Sequence, residues 1–93
     1  MAISRAERAQ LLEVERRHLR KAEADIEEGL KRLRNQRDLL FDLQAGGHDI
    51  TQAERLIILL EQTLLQWERH RTLIEQRIAY LEDELYPAPV RGK

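Results

Sequence analysis

The chain has 93 residues, of which 35% are charged, and its formal net charge is −1. This length fits one small domain, and the balanced charge argues against a dedicated nucleic-acid binder, which usually carries a basic excess. The absence of cysteine excludes disulfides and thiolate metal sites. Residues 1–10 lack the apolar run of a signal peptide, and the longest apolar run, Leu56–Leu60, is far shorter than the roughly 20 residues of a membrane-spanning helix. We therefore expect a soluble cytoplasmic protein with no membrane contact.

Two phrases of similar sequence predict the starts of two helices. Ser4 is followed three residues later by Glu7, and Thr51 is followed three residues later by Glu54. In such a capping box the hydroxyl accepts a hydrogen bond from the backbone N–H of the third helical residue, and the glutamate accepts one from the N–H of the cap residue. An isoleucine precedes each cap, where a hydrophobic staple would lie. The sequence therefore predicts two helices with Ser4 and Thr51 as their caps.

Glycine and proline predict where these helices end. Gly46-Gly47 should end the first helix, because glycine readily takes the left-handed conformation found at many helix ends. Pro87 and Pro89 favour extended backbone after the second helix. The expected boundaries are a first helix at about 5–44, a turn at 45–51, a second helix at about 52–85 and a disordered basic tail at 86–93.

Apolar residues recur along both helices at the alternating spacing of three and four residues that is typical of a coiled-coil seam. In the first helix a strict seven-residue series consists of Leu12, Leu19, Ile26, Leu33 and Leu40. In the second helix the series consists of Ala53, Ile57, Leu60, Leu64, Trp67, Arg71, Ile74, Ile78, Leu81 and Leu85. Because the turn is short, the helices must run antiparallel. We predict an all-α fold, an antiparallel two-helix coiled-coil hairpin.

Folding the chain at the turn predicts one fixed register. Leu12 then lies opposite Leu85, and the numbers of all opposed residues sum to 97. The same register places Gly29 near Trp67. Glycine inside a helix costs about 1 kcal/mol relative to alanine, so we interpret Gly29 as making room for the indole.

Arg71 is the charged exception in the second seam, and the register places it opposite Ile26. Two interpretations are open. A charged seam residue can fix register and orientation, here with acidic neighbours such as Asp25. Alternatively, the stem of Arg71 crosses the seam and its guanidinium ends in water.

The second helix also carries apolar residues outside its seam. They are Leu56, Leu59, Leu73 and Tyr80 on one flank, and Ile58 and Leu65 on the other. This number of apolar residues on one helix indicates a second buried face, since a lone hairpin buries little. We predict a homodimer in which two hairpins form a four-helix bundle and these six residues lie at the interface. The alternative is a monomer that binds a helix of another protein.

No residue pattern typical of an enzyme, a cofactor site or a metal site is present. The three histidines, His18, His48 and His70, fall at different heights along the hairpin and cannot meet at one metal within a chain. The single serine is already the predicted cap, and no glycine-rich phosphate loop occurs. We therefore predict a non-catalytic protein-protein interaction or scaffold module.

Two basic segments of the first helix, residues 16–21 and 31–37, could contact phosphate. The acidic segment 23–28 lies between them and would repel it. We interpret the alternation as a solvated helix face with ion pairs between residues four apart. The alternative function is a small nucleic-acid-associated regulator that uses these two segments.

Residues 47–71 resemble a group of small, uncharacterised bacterial proteins that are common in alphaproteobacteria. The matching residues are Gly47-His48-Asp49, Ala53-Glu54, the leucine run to Leu60, Glu61-x-Thr63-Leu64 and His70-Arg71. With the similar patterns at 24–29 and 34–37, the likeness covers roughly half of the chain. The group usually has threonine directly after the aspartate, whereas Ile50 intervenes here, which leaves open whether Asp49 or Thr51 caps the second helix. The resemblance implies a bacterial cytoplasmic helical hairpin without an assigned activity. It also points to His48, Asp49, His70 and Arg71 as candidate turn or polar contacts.

Overall fold

A computed structural model describes residues 3–87 and residue 89 of the chain. The chain forms two α-helices, α1 (Arg5–Ala45) and α2 (Thr51–Leu85), which pack against each other as an antiparallel hairpin. The predicted all-α hairpin is therefore confirmed. The molecule is a rod with extents of 67 × 33 × 17 Å. Its radius of gyration of 20.7 Å is far above the roughly 12 Å of a compact domain of this length.

The predicted capping box at the start of α1 is confirmed. The Ser4 hydroxyl accepts a hydrogen bond from the Glu7 N–H at 3.1 Å, and the Glu7 carboxylate accepts one from the Ser4 N–H at 2.9 Å. These bonds give partners to backbone donors that have none within the helix. Because they favour the charged form, the bonds from the backbone and the side chain of Ser4 lower the pKa of Glu7.

The predicted cap of α2 is wrong. The helix begins at Thr51, with Ile50 at the cap position and no side-chain hydrogen bond from that residue. The Asp49 carboxylate instead accepts hydrogen bonds from the N–H and the hydroxyl of Thr51, at 3.0 and 2.8 Å. A charged carboxylate is the stronger acceptor, so the Thr51 hydroxyl donates to it and does not accept from the helix. These two hydrogen bonds link Asp49, in the turn, to the first residue of α2.

The end of α1 depends on a glycine with a left-handed backbone. Gly47 has a φ of 73°, its N–H donates to the Gln44 carbonyl at 3.1 Å, and the His48 N–H donates to the Leu43 carbonyl at 2.9 Å. This is the Schellman arrangement, so the predicted glycine stop is confirmed at Gly47. A Cβ at Gly46 would lie 2.8 Å from the His48 ring, which shows that the imidazole lies over Gly46.

Of the three ion pairs between the helices among the described residues, the two at 3.0 Å share one register. Arg16 lies 3.0 Å from Glu82, and Arg37 lies 3.0 Å from Glu61. The residue numbers sum to 98 in both pairs, within one of the value predicted for the seam. The helices therefore stay in step from the open end of the hairpin to the turn.

The buried side chains form two clusters along the seam. The open-end cluster contains Leu12, Ala22, Ile74, Ile78, Leu81 and Leu85, with Leu19 packed against it. The turn-end cluster contains Ile26, Leu33, Ile57 and Leu64, with Leu40, Leu60 and Trp67 packed against it. The predicted pair Leu12–Leu85 lies within the open-end cluster, whereas Arg71, predicted opposite Ile26, belongs to neither cluster. Among the described residues Ile74, at 1% exposure, is the only large side chain that is fully buried.

Gly29 lies where the helices approach closely. A Cβ at this position would be 2.8 Å from the Leu64 Cδ2 and 3.3 Å from the Trp67 Cζ3. The glycine therefore makes room for the indole, as interpreted from the sequence, and leaves still less space beside Leu64.

Tyr86, the first residue of the predicted tail, contacts both helices. The Tyr86 N–H donates to the Glu82 carbonyl at 2.7 Å. The Arg5 guanidinium lies 5.5 Å from the centre of the Tyr86 ring, a cation–π contact that joins the two chain ends of the rod. Residues 88 and 90–93 of the predicted disordered tail lie outside the described residues.

We expect Gly29→Leu to lower the melting temperature and to destabilise the hairpin by about 1–3 kcal/mol, because the new side chain must displace Leu64 and Trp67. Ala24→Leu, at an exposed position of the same helix, controls for the addition of a leucine side chain outside the seam. Thermal unfolding followed by circular dichroism measures both variants. An unchanged melting temperature for Gly29→Leu would contradict the register.

The Asp49 pKa lies below its ordinary value because the carboxylate accepts first the backbone hydrogen bond and then the hydroxyl hydrogen bond of Thr51. Such a carboxyl stabilises the fold above its unfolded pKa, and the stabilisation is lost as the pH falls through the folded pKa. The wild type should therefore exceed Asp49→Asn in unfolding free energy at about pH 7, and the difference should shrink below about pH 4. Urea titrations across this range measure the difference. A difference that stays constant with pH would show that the charge of Asp49 does not hold the turn.

Candidate interaction surface

The six apolar residues predicted to form an interface are all exposed on the hairpin. Their exposed fractions range from 40% for Leu56 to 62% for Tyr80. Neither helix covers them, because the seam uses a single stripe of each helix. The hairpin thus leaves open every apolar position that the interface prediction named.

Exposed apolar residues lie on two sides of the seam. The groove face, as we name the first side, comprises Leu11 and Leu39 of α1 with Leu56, Leu59, Leu73 and Tyr80 of α2. The opposite flank comprises Leu30 and Phe41 of α1 with Ile58 and Leu65 of α2. The division follows from the heptad spacing, which places these positions on either side of the seam residues.

The groove face contains two apolar depressions between the helices. The open-end groove has a volume of about 420 Å³, and its apolar walls are Leu11, Leu73, Tyr80 and Leu81. The turn-end groove has a volume of about 370 Å³, and its apolar walls include Leu39, Leu43, Ala53 and Leu56. Both volumes fall within the range of pockets that enclose small ligands or side chains.

Glu15 is the one carboxylate that lines the open-end groove. Its side chain is only 16% exposed, and its Oε1 lies 3.5 Å from the Arg77 Nη1 and 3.7 Å from the His18 Nδ1. The contact with Arg77 is an ion pair without a hydrogen bond, since Oε1 has no hydrogen-bond partner among the described residues. Arg77, which also lines the groove, is therefore the counter-charge of the Glu15 carboxylate.

A row of charges separates the opposite flank from the seam. Every seventh residue of α2 along this row is a glutamate: Glu54, Glu61, Glu68, Glu75 and Glu82. Arg16 and Arg37 pair with two of them across the hairpin. Covering this flank would take the whole row out of water at a large desolvation cost. The glutamate series is visible in the sequence. The predicted interface nevertheless included residues of both flanks and did not distinguish between them.

The four predicted polar contacts lie in two separate places. His48 and Asp49 lie at the turn, whereas His70 and Arg71 lie near the middle of α2, roughly 30 Å away along the helix axis. Asp49 holds the turn, and His70 is exposed. Across residues 3–87 and 89, no three His, Asp or Glu side chains are grouped so that they could hold a metal ion.

Arg71 lies at the break between the two core clusters. Its side chain is half-buried, and its Nε is buried without a hydrogen-bond partner among the described residues. No ion pair within residues 3–87 includes it, and Asp25 instead binds Lys21 at 2.8 Å. The ion pair with Asp25 is therefore not found. The half-buried side chain fits the second interpretation, in which the stem crosses the seam.

Because a buried donor without a partner costs about 1–3 kcal/mol, we expect Arg71→Leu to raise the unfolding free energy by about 1 kcal/mol by joining the two clusters. Arg69→Leu, at an exposed position two residues earlier, should change it by less than about 0.5 kcal/mol. Urea unfolding of the two variants at equal protein concentration measures the difference. Destabilisation by Arg71→Leu would show that the guanidinium is satisfied in the folded protein.

Four of the eight Lys and Arg side chains in the basic segments of α1 form ion pairs with carboxylates. In residues 16–21, Arg16 pairs with Glu82 and Lys21 with Asp25. In residues 31–37, Arg37 pairs with Glu61, and Arg32 lies 3.9 Å from Glu28. Each segment therefore has internal counter-charges, which favours the interpretation as an ion-paired helix face over a phosphate-binding face.

Comparison of the chain with protein families, with curated proteins and with solved structures finds no significant match. The resemblance to the alphaproteobacterial hairpin proteins therefore stays a prediction. Within the part of the chain that the structure describes, neither helix has an apolar stretch long enough to cross a membrane.

Proposed function

We propose that this chain is a non-catalytic interaction module that pairs with a second copy of itself through the groove face to form a four-helix bundle. The observation that carries the proposal is an imbalance in burial. Twelve large apolar residues of the described chain are at least 40% exposed, whereas eleven apolar residues, two of them alanines, are buried. In particular, α2 has a second apolar side that α1 does not cover.

The exposed area is large enough for a stable interface. The chain exposes 7549 Å², whereas a compact protein of 11.0 kDa exposes about 5,600 Å². The excess of roughly 1,900 Å² is more than twice the roughly 800 Å² that each partner buries in an interface of standard size. Pairing of two hairpins would therefore bring the exposed area per mass towards that of ordinary globular proteins.

A second copy is a suitable partner because a twofold interface must complement itself. The groove face carries both protruding leucines and apolar grooves. The leucines of one copy can therefore fill the grooves of the other. The net charge of −1 adds almost no repulsion between copies. The nucleic-acid alternative has less support, because carboxylates pair with Arg16, Lys21 and Arg37 in the segments that it requires.

Two leucines of α2 form a matched pair for testing the interface. Leu73 lies on the groove face at 51% exposure, and Leu65 lies on the opposite flank at 49%. We expect Leu73→Glu to weaken the dimer at least tenfold, because it places a charge inside an apolar contact at a cost above about 1.4 kcal/mol. Leu65→Glu should change the dimer dissociation constant by less than about threefold, since exposed substitutions have small effects.

Sedimentation velocity over a dilution series measures both dissociation constants, and circular dichroism verifies that both variants remain helical. If Leu65→Glu dissociates the dimer and Leu73→Glu does not, the opposite flank is the interface. If the wild type itself is a helical monomer at all concentrations, the pairing proposal fails, and the groove face is open to a different protein.

A further inference from the structure

We infer that the two hairpins pair antiparallel, with the turn of each copy beside the open end of the other, so that turn-end leucines of one copy enter the open-end groove of the other. This inference rests on the proposed homodimer and assigns its orientation. The alternative is a parallel pair, in which the two turns lie side by side.

The groove face is apolar at both ends and polar in the middle. Leu11, Leu73 and Tyr80 form its open-end half, and Leu39, Leu56 and Leu59 form its turn-end half. The middle carries Asp25, Arg32, Thr63 and His70, at the seam-flanking positions between the two halves. Either orientation can bring apolar halves together, so the charges in the middle decide between them.

In a parallel pair the twofold axis runs along the rod and places α1 of one copy beside α2 of the other. Asp25 of one copy and Arg32 of the other then lie about 10 Å apart along the axis and form no ion pair with each other. An antiparallel pair brings Asp25 of each copy to the level of Arg32 of the other. Both side chains keep free surface for such a contact: Asp25 is 41% exposed in its pair with Lys21, and Arg32 is 66% exposed at 3.9 Å from Glu28.

One twofold axis satisfies the charges and the apolar halves together. In the register of the two ion pairs, Tyr80 lies level with position 18 of α1, and Leu59 lies level with position 39. The midpoint of these two levels coincides with the midpoint of Asp25 and Arg32. An axis there places Leu59 beside Tyr80 of the other copy and the opposite charges beside each other.

The open-end groove is suited to this occupant. Its volume is about 420 Å³ and its walls are mostly apolar. Its carboxylate, Glu15, lies 3.5 Å from Arg77, so incoming leucines would cover a charge that already has a counter-charge. The antiparallel arrangement also places the two Gly47-His48-Asp49 turns at opposite ends of the bundle, where each is free to bind another molecule.

Spin labels at single introduced cysteines test the orientation, because the chain has no cysteine of its own. Gln44→Cys labels the turn end and Glu27→Cys labels the middle, and both positions are exposed and lie outside the groove face. In the antiparallel dimer the two labels at position 44 should be about 50 Å apart. The labels at position 27, close to the axis, should be about 20–30 Å apart in either orientation.

Double electron–electron resonance on the two labelled full-length proteins gives these distances, and sedimentation verifies that each label leaves the association unchanged. A long distance at 44 with a short distance at 27 supports the antiparallel pair. Short distances at both positions overturn it and leave the homodimer standing. No dipolar coupling at either position shows that the homodimer itself is absent.

Discussion

The structure depends on the packing of one apolar stripe of α1 against one apolar stripe of α2. Two helices have a single line of contact, so only the residues of the seam are buried and the core is one row wide. Among the described residues, Ile74 is the only large side chain of this row that is fully buried. It also explains the rod shape, because the buried area can grow only with helix length. The exposed apolar faces are the direct consequence of this geometry.

A seam of similar apolar residues does not by itself fix how far one helix slides along the other. Two features supply that information here. Gly29 leaves room for the close approach of Leu64 and Trp67, and ion pairs of Glu61 and Glu82 with arginines of α1 lie near the two ends.

Features set by local chemistry or by periodicity could be predicted from the sequence. The Ser4 cap and the Gly47 stop depend on residues within one turn of helix, and the seam follows from the heptad spacing. The cap motif predicted Thr51 wrongly, because the N–H and the hydroxyl of Thr51 both donate to the Asp49 carboxylate, a strong acceptor. The grooves were also missed, since their shape depends on how the flanking side chains of both helices are arranged. The glutamate series of α2 was readable, and weighing it would have favoured the groove face.

We propose that this hairpin completes its core with a second copy of itself. Sedimentation equilibrium of the wild type over a wide concentration range, with helicity measured on the same samples, tests the homodimer most directly. A helical dimer should form at high concentration and persist on dilution, and any loss of helix should follow dissociation because the exposed apolar faces depend on each other. A monomer of constant, high helicity across the whole range would contradict it, since one seam would then be sufficient for the fold.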